Sequence, residues 1–330
     1  MASLQLARRL PRKTAHGFTL LEVLVTLAIM SLLAVVTLGS LTPWLDVRQS
    51  FETERKLNET REALRSYYAE NALAVESVAT ATFGPFQASA ADSAGQCAPQ
   101  ATAFGALSGI LSEVGARAAL DGYNNAFCVL TGPQRSKAVD GFKIFYRTIA
   151  IVSVGSNSRL DTGTALNAAN DTLALAGDDK GIVVNTYDLA YAKYLETASR
   201  MQKVASMYET YFTSRYLQAS DRDVSRDYFS SLYDGGGAVA STGGSWAPAA
   251  TALAGIGVTA DLAVSAWQST PAQSNRIEVG NFNEQVAGVT VRSPAASTGA
   301  SLPYTAVLRT RMPSPDSDPQ WVVKVAVGQY

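Results

Sequence analysis

The sequence predicts an α+β protein in which a long N-terminal helix with a membrane-spanning stretch leads into an antiparallel-sheet head, followed by a second helix and a second antiparallel sheet. Three observations carry this reading. Between Phe18 and Leu41 the only charge is Glu22, and such a run, at about 1.5 Å of rise per residue, is long enough as a helix to cross a hydrocarbon core. Two later segments place apolar residues three or four apart, and each precedes runs rich in β-branched and aromatic residues. Hydrophobic residues make up 47% of the 330 and charged residues 17%, a balance that supports packed cores rather than disorder.

Residues 1–17 form a basic leader. Arg8, Arg9, Arg12 and Lys13 all precede Gly17 and no acidic residue does, so 23 basic and 28 acidic groups remain from Phe18 onward. That remainder excludes wholesale binding to phosphate backbones, and no nucleic acid is expected. Positive charge on one side of the apolar run puts the N-terminus in the cytoplasm and the rest outside. The run is too long for an ordinary secretory signal, and "AVVTLGSL" offers a poor cleavage site. The sole histidine, His16, precedes Gly17 as well. Without imidazole downstream, Ser-His-Asp and Cys-His catalysis and histidine-held metals are excluded, and no enzyme is expected.

The basic leader, Gly17 and "FTLLEVLVTLAIMSLLA" together resemble the processing and assembly segment of type IV prepilins and type II secretion pseudopilins. The resemblance rests on the N-terminal end of the chain. It implies cleavage after Gly17 by a membrane prepilin peptidase, methylation of the new amino terminus at Phe18, and an assembly role for Glu22. A carboxylate deep in lipid costs about 2.5–3.5 kcal/mol unless it finds a partner; the resemblance implies that this partner is a terminal ammonium, the subunit's own or a neighbour's. It also implies other pilin or pseudopilin subunits and an inner-membrane assembly platform as partners. The location implied is the inner membrane with the head in the periplasm, then a filament at the cell surface. The expected function is a structural subunit of a type IV pilus, a minor or tip-proximal one given the bulk of the chain. A type II secretion pseudopilin and a single-pass membrane-anchored binding protein are the alternatives.

The half-helix runs over 18–43, with Gly39 and Pro43 predicting a bend or loosening. The first head, with the outer half of the helix, covers 44–185; Phe51, Leu57, Leu64 and Tyr68 are its apolar points. Phe142 to Val154 read as two strands or one long bent one. Asp121, Gly122 and Asn125 resemble the turn before the first strand of pseudopilin heads, with Tyr123 in place of the tryptophan common there.

Asn157, Asp161, Asp171, Asp178 and Asp179 gather in one loop between apolar runs. Hard oxygens in such number suit Ca²⁺, and secretion pseudopilins bind calcium in the equivalent loop; a plain solvated turn is the competing reading. No other cofactor is expected. Cys97 and Cys128 are the only cysteines and lack a CxxC spacing, so zinc is not expected; an external location favours a disulfide between them.

The second head covers 186–330. Residues 196–212, "ETASRMQKVASMYETYF", echo residues 52–68, "ETERKLNETREALRSYY". Tyr191, Leu195, Ala198, Met201, Ala205, Tyr208 and Phe212 make its apolar stripe. A Gly/Ala/Ser loop follows, then four strand-like runs, "RIEV", "VAGVTV", "YTAVLR" and "WVVKVAV". Helix before antiparallel sheet thus occurs twice.

Overall fold

The computed structural model describes residues 19–78, 109, 120–167, 169–229, 246–249, 257–267, 276–280, 285–286, 289–290, 304–315, 320–328 and 330. It is α+β, and every paired strand in it is antiparallel. The chain divides into two compact units, Met1–Ser50 and Phe51–Tyr330.

Helix α1 is assigned from Leu20 to Glu76 and contains Pro43. The helix therefore continues through Pro43, where a bend or loosening is expected. Proline removes a single backbone donor, and the hydrogen bonds on either side are enough to carry the helix past it. Up to Val35 the described side chains are exposed on every face, including Leu20, Leu24, Leu27, Met30 and Leu32. The hydroxyls among them are turned back onto the helix: Thr26 Oγ1 donates to the Glu22 and Val23 carbonyls, each at 2.9 Å, and Ser31 Oγ donates to Ala28 at 2.9 Å. Among the described residues no helix is long and apolar enough to cross a membrane. The side chains of residues 36–42, inside the stretch expected to span, lie outside the described set.

In the second unit the outer part of α1 buries Leu57, Leu64 and Tyr68, as the spacing predicts, whereas Phe51 is 68% exposed. Strands β1 (Cys128–Thr131), β4 (Thr148–Ser153) and β7 (Lys180–Asn185) form a sheet with β4 in the centre. All of β4 is buried because its alternate residues serve two cores. Ile149 and Ile151 join the main core with α1, while Ala150 and Val152 join a smaller one with Cys128, Leu166 and Leu173. The last two belong to the hairpin of β5 (Ala165–Asn167) and β6 (Thr172–Ala174).

A further hairpin joins β2 (Arg135–Val139) to β3 (Phe142–Tyr146) through Asp140 and Gly141, both at positive φ (49° and 84°). A two-residue turn of this hand matches the twist of the flanking strands, and Asp-Gly suits it because glycine carries no Cβ. The hairpin lies on α2 (Tyr187–Gln218), where Phe142 meets Tyr194 at 5.9 Å and Tyr194 Oη donates to Asp140 at 3.0 Å.

Where α1 ends, Glu76 is fully buried. Tyr68 Oη donates to it at 3.1 Å and Gln134 Nε2 at 2.8 Å, with the Arg147 guanidinium 3.8 Å away. Burial pushes the Glu76 carboxyl up, and these hydrogen bonds together with the Arg147 charge pull it back. The network joins the helix end to β2, to the β3–β4 corner and, through Thr186, to the start of α2.

The buried face of α2 comprises Ala190, Tyr194, Thr197, Met201, Val204, Ala205, Tyr208 and Phe212. From Met201 onward this is the predicted stripe. In the first turns the face is rotated by one position, leaving Leu195 48% exposed. The cause is Thr197: its hydroxyl takes a core position because it accepts the Ala266 amide at 3.0 Å, a polar anchor that apolar spacing does not reveal.

The second sheet runs β13-β12-β9-β8, with β8 at Ala247–Pro248, β9 at Glu278–Gly280, β12 at Thr305–Arg311 and β13 at Trp321–Val327. The run "VAGVTV" falls on a separate small hairpin of β10 (Gln285–Val286) and β11 (Val289–Thr290). On this sheet the Arg309 guanidinium is stacked between Trp246 and Trp321, 3.8 and 4.2 Å from their ring centroids, and is paired with Glu278 at 2.8 Å. Leu308, Val322 and Ala326 join the same main core as α1, α2 and the first sheet.

One contact occurs twice. Thr53 Oγ1 of α1 accepts the Gly122 amide at 2.9 Å, and Thr197 Oγ1 of α2 accepts the Ala266 amide at 3.0 Å, each across 69 positions. Three residues further along each helix a basic side chain reaches the same turn: Lys56 donates to the Asp121 carbonyl at 3.0 Å and Arg200 to the Val264 carbonyl at 3.1 Å. Both threonines are fully buried. The echo seen between 52–68 and 196–212 thus extends to how each helix grips the turn that follows it.

Candidate functional site

The start of α1 is closed by Thr19 and Glu22. The Thr19 amide and hydroxyl donate to Glu22 Oε2 at 2.9 and 3.0 Å, and the Glu22 amide donates to Thr19 Oγ1 at 3.3 Å. This reciprocal pair is a capping box, which satisfies backbone donors that the first turn of a helix leaves open. Thr-x-x-Glu ahead of an apolar run signals this box, a role beside the expected pairing of Glu22 with a terminal ammonium, the subunit's own or a neighbour's. The cap gives the Glu22 carboxylate a role within its own helix. Among the described residues Oε1 takes no bond. Gly17 and Phe18, the expected processing residues, lie outside the described residues.

The acidic loop is brought together only in part. Ligand atoms of Asp161, Asp178 and Asp179 lie within 4.8 Å of one another. Asn157 does not present its oxygen to the group, since its Nδ2 donates to Asp161 at 3.1 Å and its Oδ1 accepts the Arg159 amide at 2.7 Å. Asp171 stands apart, paired with Arg135 at 2.7 Å. That pairing follows from the β5–β6 hairpin, which carries Asp171 away from the cluster and over the start of β2.

Each cluster member is held by backbone. Asp178 Oδ2 accepts the Ser156 amide and hydroxyl at 2.7 and 2.6 Å and the Asn157 amide at 3.2 Å. Burial raises the Asp178 carboxyl, but these bonds outweigh it and the net shift is downward. Asp179 Oδ2 accepts the Asp161 amide at 2.9 Å and the Thr164 hydroxyl at 2.5 Å. Asp179 is only 6% exposed, and its Oδ1 is buried without a hydrogen-bond partner. Burial pushes its carboxyl up and the charges of Asp161 and Asp178 add to this, against the bonds from Thr164 and Asp161. Two glycines make room: a Cβ on Gly155 would collide with the Asp178 carboxylate and one on Gly177 with that of Asp161, and both have positive φ (63° and 57°).

Cys128 opens β1 and is fully buried. Among the described residues no cysteine carries a free thiol; Cys97 lies outside them.

A family model, the prokaryotic N-terminal methylation motif, matches residues 12–38. The match contains Gly17, Phe18 and Glu22, so the chain carries the type IV prepilin and pseudopilin signature at its N-terminus. A precursor with this signature is a substrate of prepilin peptidase and assembles with other pilin-like subunits. No curated protein and no solved structure matches the chain.

Proposed function

We propose that the chain is a structural subunit of a type IV pilus, cut after Gly17, held in the inner membrane by α1 with its head in the periplasm, and then assembled into the filament through that helix. The observation that carries the reading is the methylation motif over residues 12–38, joined to a helix that leaves its apolar side chains exposed on every face. The two helix–turn grips at the same spacing support two heads in tandem on one core. That bulk suits a minor or tip-proximal position better than a densely repeated one. A pseudopilin of a type II secretion system is the second reading, favoured by the acidic loop. Mass spectrometry of sheared filaments separates the two. Peptides of this chain in pilus fractions support the first, and their absence there, with retention in the envelope of secreting cells, supports the second.

The acidic loop is proposed as a calcium site formed by Asp161, Asp178 and Asp179, with Asn157 and Asp171 outside it. The residues fit a hard cation: three carboxylates converge, one oxygen is buried and unpaired, and glycines clear the space. Binding to the folded state alone would add about 2.7 kcal/mol at a hundred times Kd, a rise in melting temperature on the order of 5 °C. Melting in millimolar calcium and in chelator measures it; identical curves discard the site.

A Cys97–Cys128 disulfide is proposed as well. Closing that loop stabilises the head by about 3–4 kcal/mol in the chain-entropy model. Thiol titration of protein made in the periplasm should find no free thiol, and reduction should lower its melting temperature. Two titratable thiols in the folded protein would refute it.

A further inference from the structure

We propose that a divalent cation among Asp161, Asp178 and Asp179 tightens the grip of the head on one turn of α1, residues 53–56. The inference rests on the cation reading above and gives that site a regulatory role.

Two arms run from the cluster to this turn. The first is short: Lys180 follows Asp179 in the chain, and its Nζ pairs with Glu54 at 2.5 Å. The second starts where Ser156 and Asn157 hold Asp178. Just before them the Gly155 carbonyl accepts from Asn125 Nδ2 at 2.8 Å, and Ser153 Oγ donates to Asp121 Oδ2 at 2.6 Å. Asp121 Oδ1 accepts the Tyr123 and Asn125 amides at 2.9 and 2.7 Å, which shapes the turn. From that turn the Gly122 amide reaches Thr53 and the Asp121 carbonyl takes Lys56. Both arms therefore end on Thr53, Glu54 and Lys56.

The cluster joins two separate stretches of chain, 155–161 and 177–180. Without a cation three carboxylates within 4.8 Å repel one another and push those stretches apart. A cation reverses the sign and draws them together. Each stretch carries the root of one arm, so the position of both roots follows occupancy. The Lys180–Glu54 pair is weak alone because both side chains are substantially exposed; its contribution depends on how well the loop holds Lys180 in place. By reciprocity, cutting the arms must weaken the cation. Helix α2 provides an internal control, since Thr197 and Arg200 grip their turn in the same way and no acidic cluster borders that turn among the described residues.

Hydrogen–deuterium exchange of the full mature chain in detergent micelles, in millimolar CaCl2 against EGTA, tests this. Amides of residues 54–60 should exchange about fivefold more slowly with calcium, the low end of ordinary coupling between sites. Those of 198–204 should not change. In the double variant Lys180→Ala, Asn125→Ala, and in Glu54→Gln taken separately, the acidic loop should still be protected by calcium. The response of 54–60 should then fall, to less than about twofold in the double variant, and calcium should bind a few-fold more weakly. Protection of the loop with no response in 54–60 of the unmodified chain would overturn the coupling and leave the metal reading standing. No response in either segment would overturn both.

Discussion

Gly17→Val leaves the chain uncut, and an immunoblot shows precursor as the only species. The peptidase implied by the methylation motif is expected to need a residue without bulk on the leader side of the scissile bond, and valine adds a branched Cβ there. The effect is a loss of processing rather than a slowing. Charge and the apolar run from Phe18 onward are untouched by the change, so the uncut protein should still reach the membrane in normal amount. Complete maturation of Gly17→Val, or a cut mapped beyond Leu38, would show instead that an ordinary signal peptidase handles the chain.

Regular patterns in the sequence were read well. Trp321–Val327 is a strand over the predicted run, rich in valine and paired with β12 along its whole length. Phe142 to Val154 resolves into β3 and β4, broken at Arg147, whose buried guanidinium turns inward toward Glu76. The strand β2 was missed although Asp140-Gly141 announces its hairpin, because "RSKAV" is polar and its middle residues face solvent. Polar anchors were the main blind spot. Thr53 and Thr197 look like surface residues on an amphipathic helix, yet each is buried and accepts a hydrogen bond from a turn 69 positions away.

The candidate sites were legible to different depths. Five residues were nominated for the acidic loop on composition, and three converge. What separates them is topology: Asp178 and Asp179 sit at the entry to β7 opposite Asp161, while Asp171 sits at the tip of a hairpin and finds Arg135. The glycines at 155 and 177 carried part of that information, since positive φ beside carboxylates is needed where chain and carboxylate come close. For Glu22 the sequence named the residue but only half of its chemistry. The capping box with Thr19 satisfies one carboxylate oxygen, Oε2, inside the subunit, and among the described residues Oε1 takes no bond.

Those two functions come apart under substitution. Glu22→Gln keeps an acceptor able to cap the helix but carries no charge, whereas Glu22→Ala loses both. If the charge drives assembly, both variants should be processed, remain in the membrane at near-normal level and enter filaments poorly.

The most direct test of the filament reading is the ratio of sheared to membrane-bound protein for Glu22→Ala against the unmodified chain, in cells that make every other subunit. The account predicts a fall of at least about tenfold, equivalent to roughly 1.4 kcal/mol of lost docking energy, with processing unchanged. An unchanged ratio would contradict it, because a carboxylate that can be deleted from the apolar helix without effect has no part in bringing subunits together.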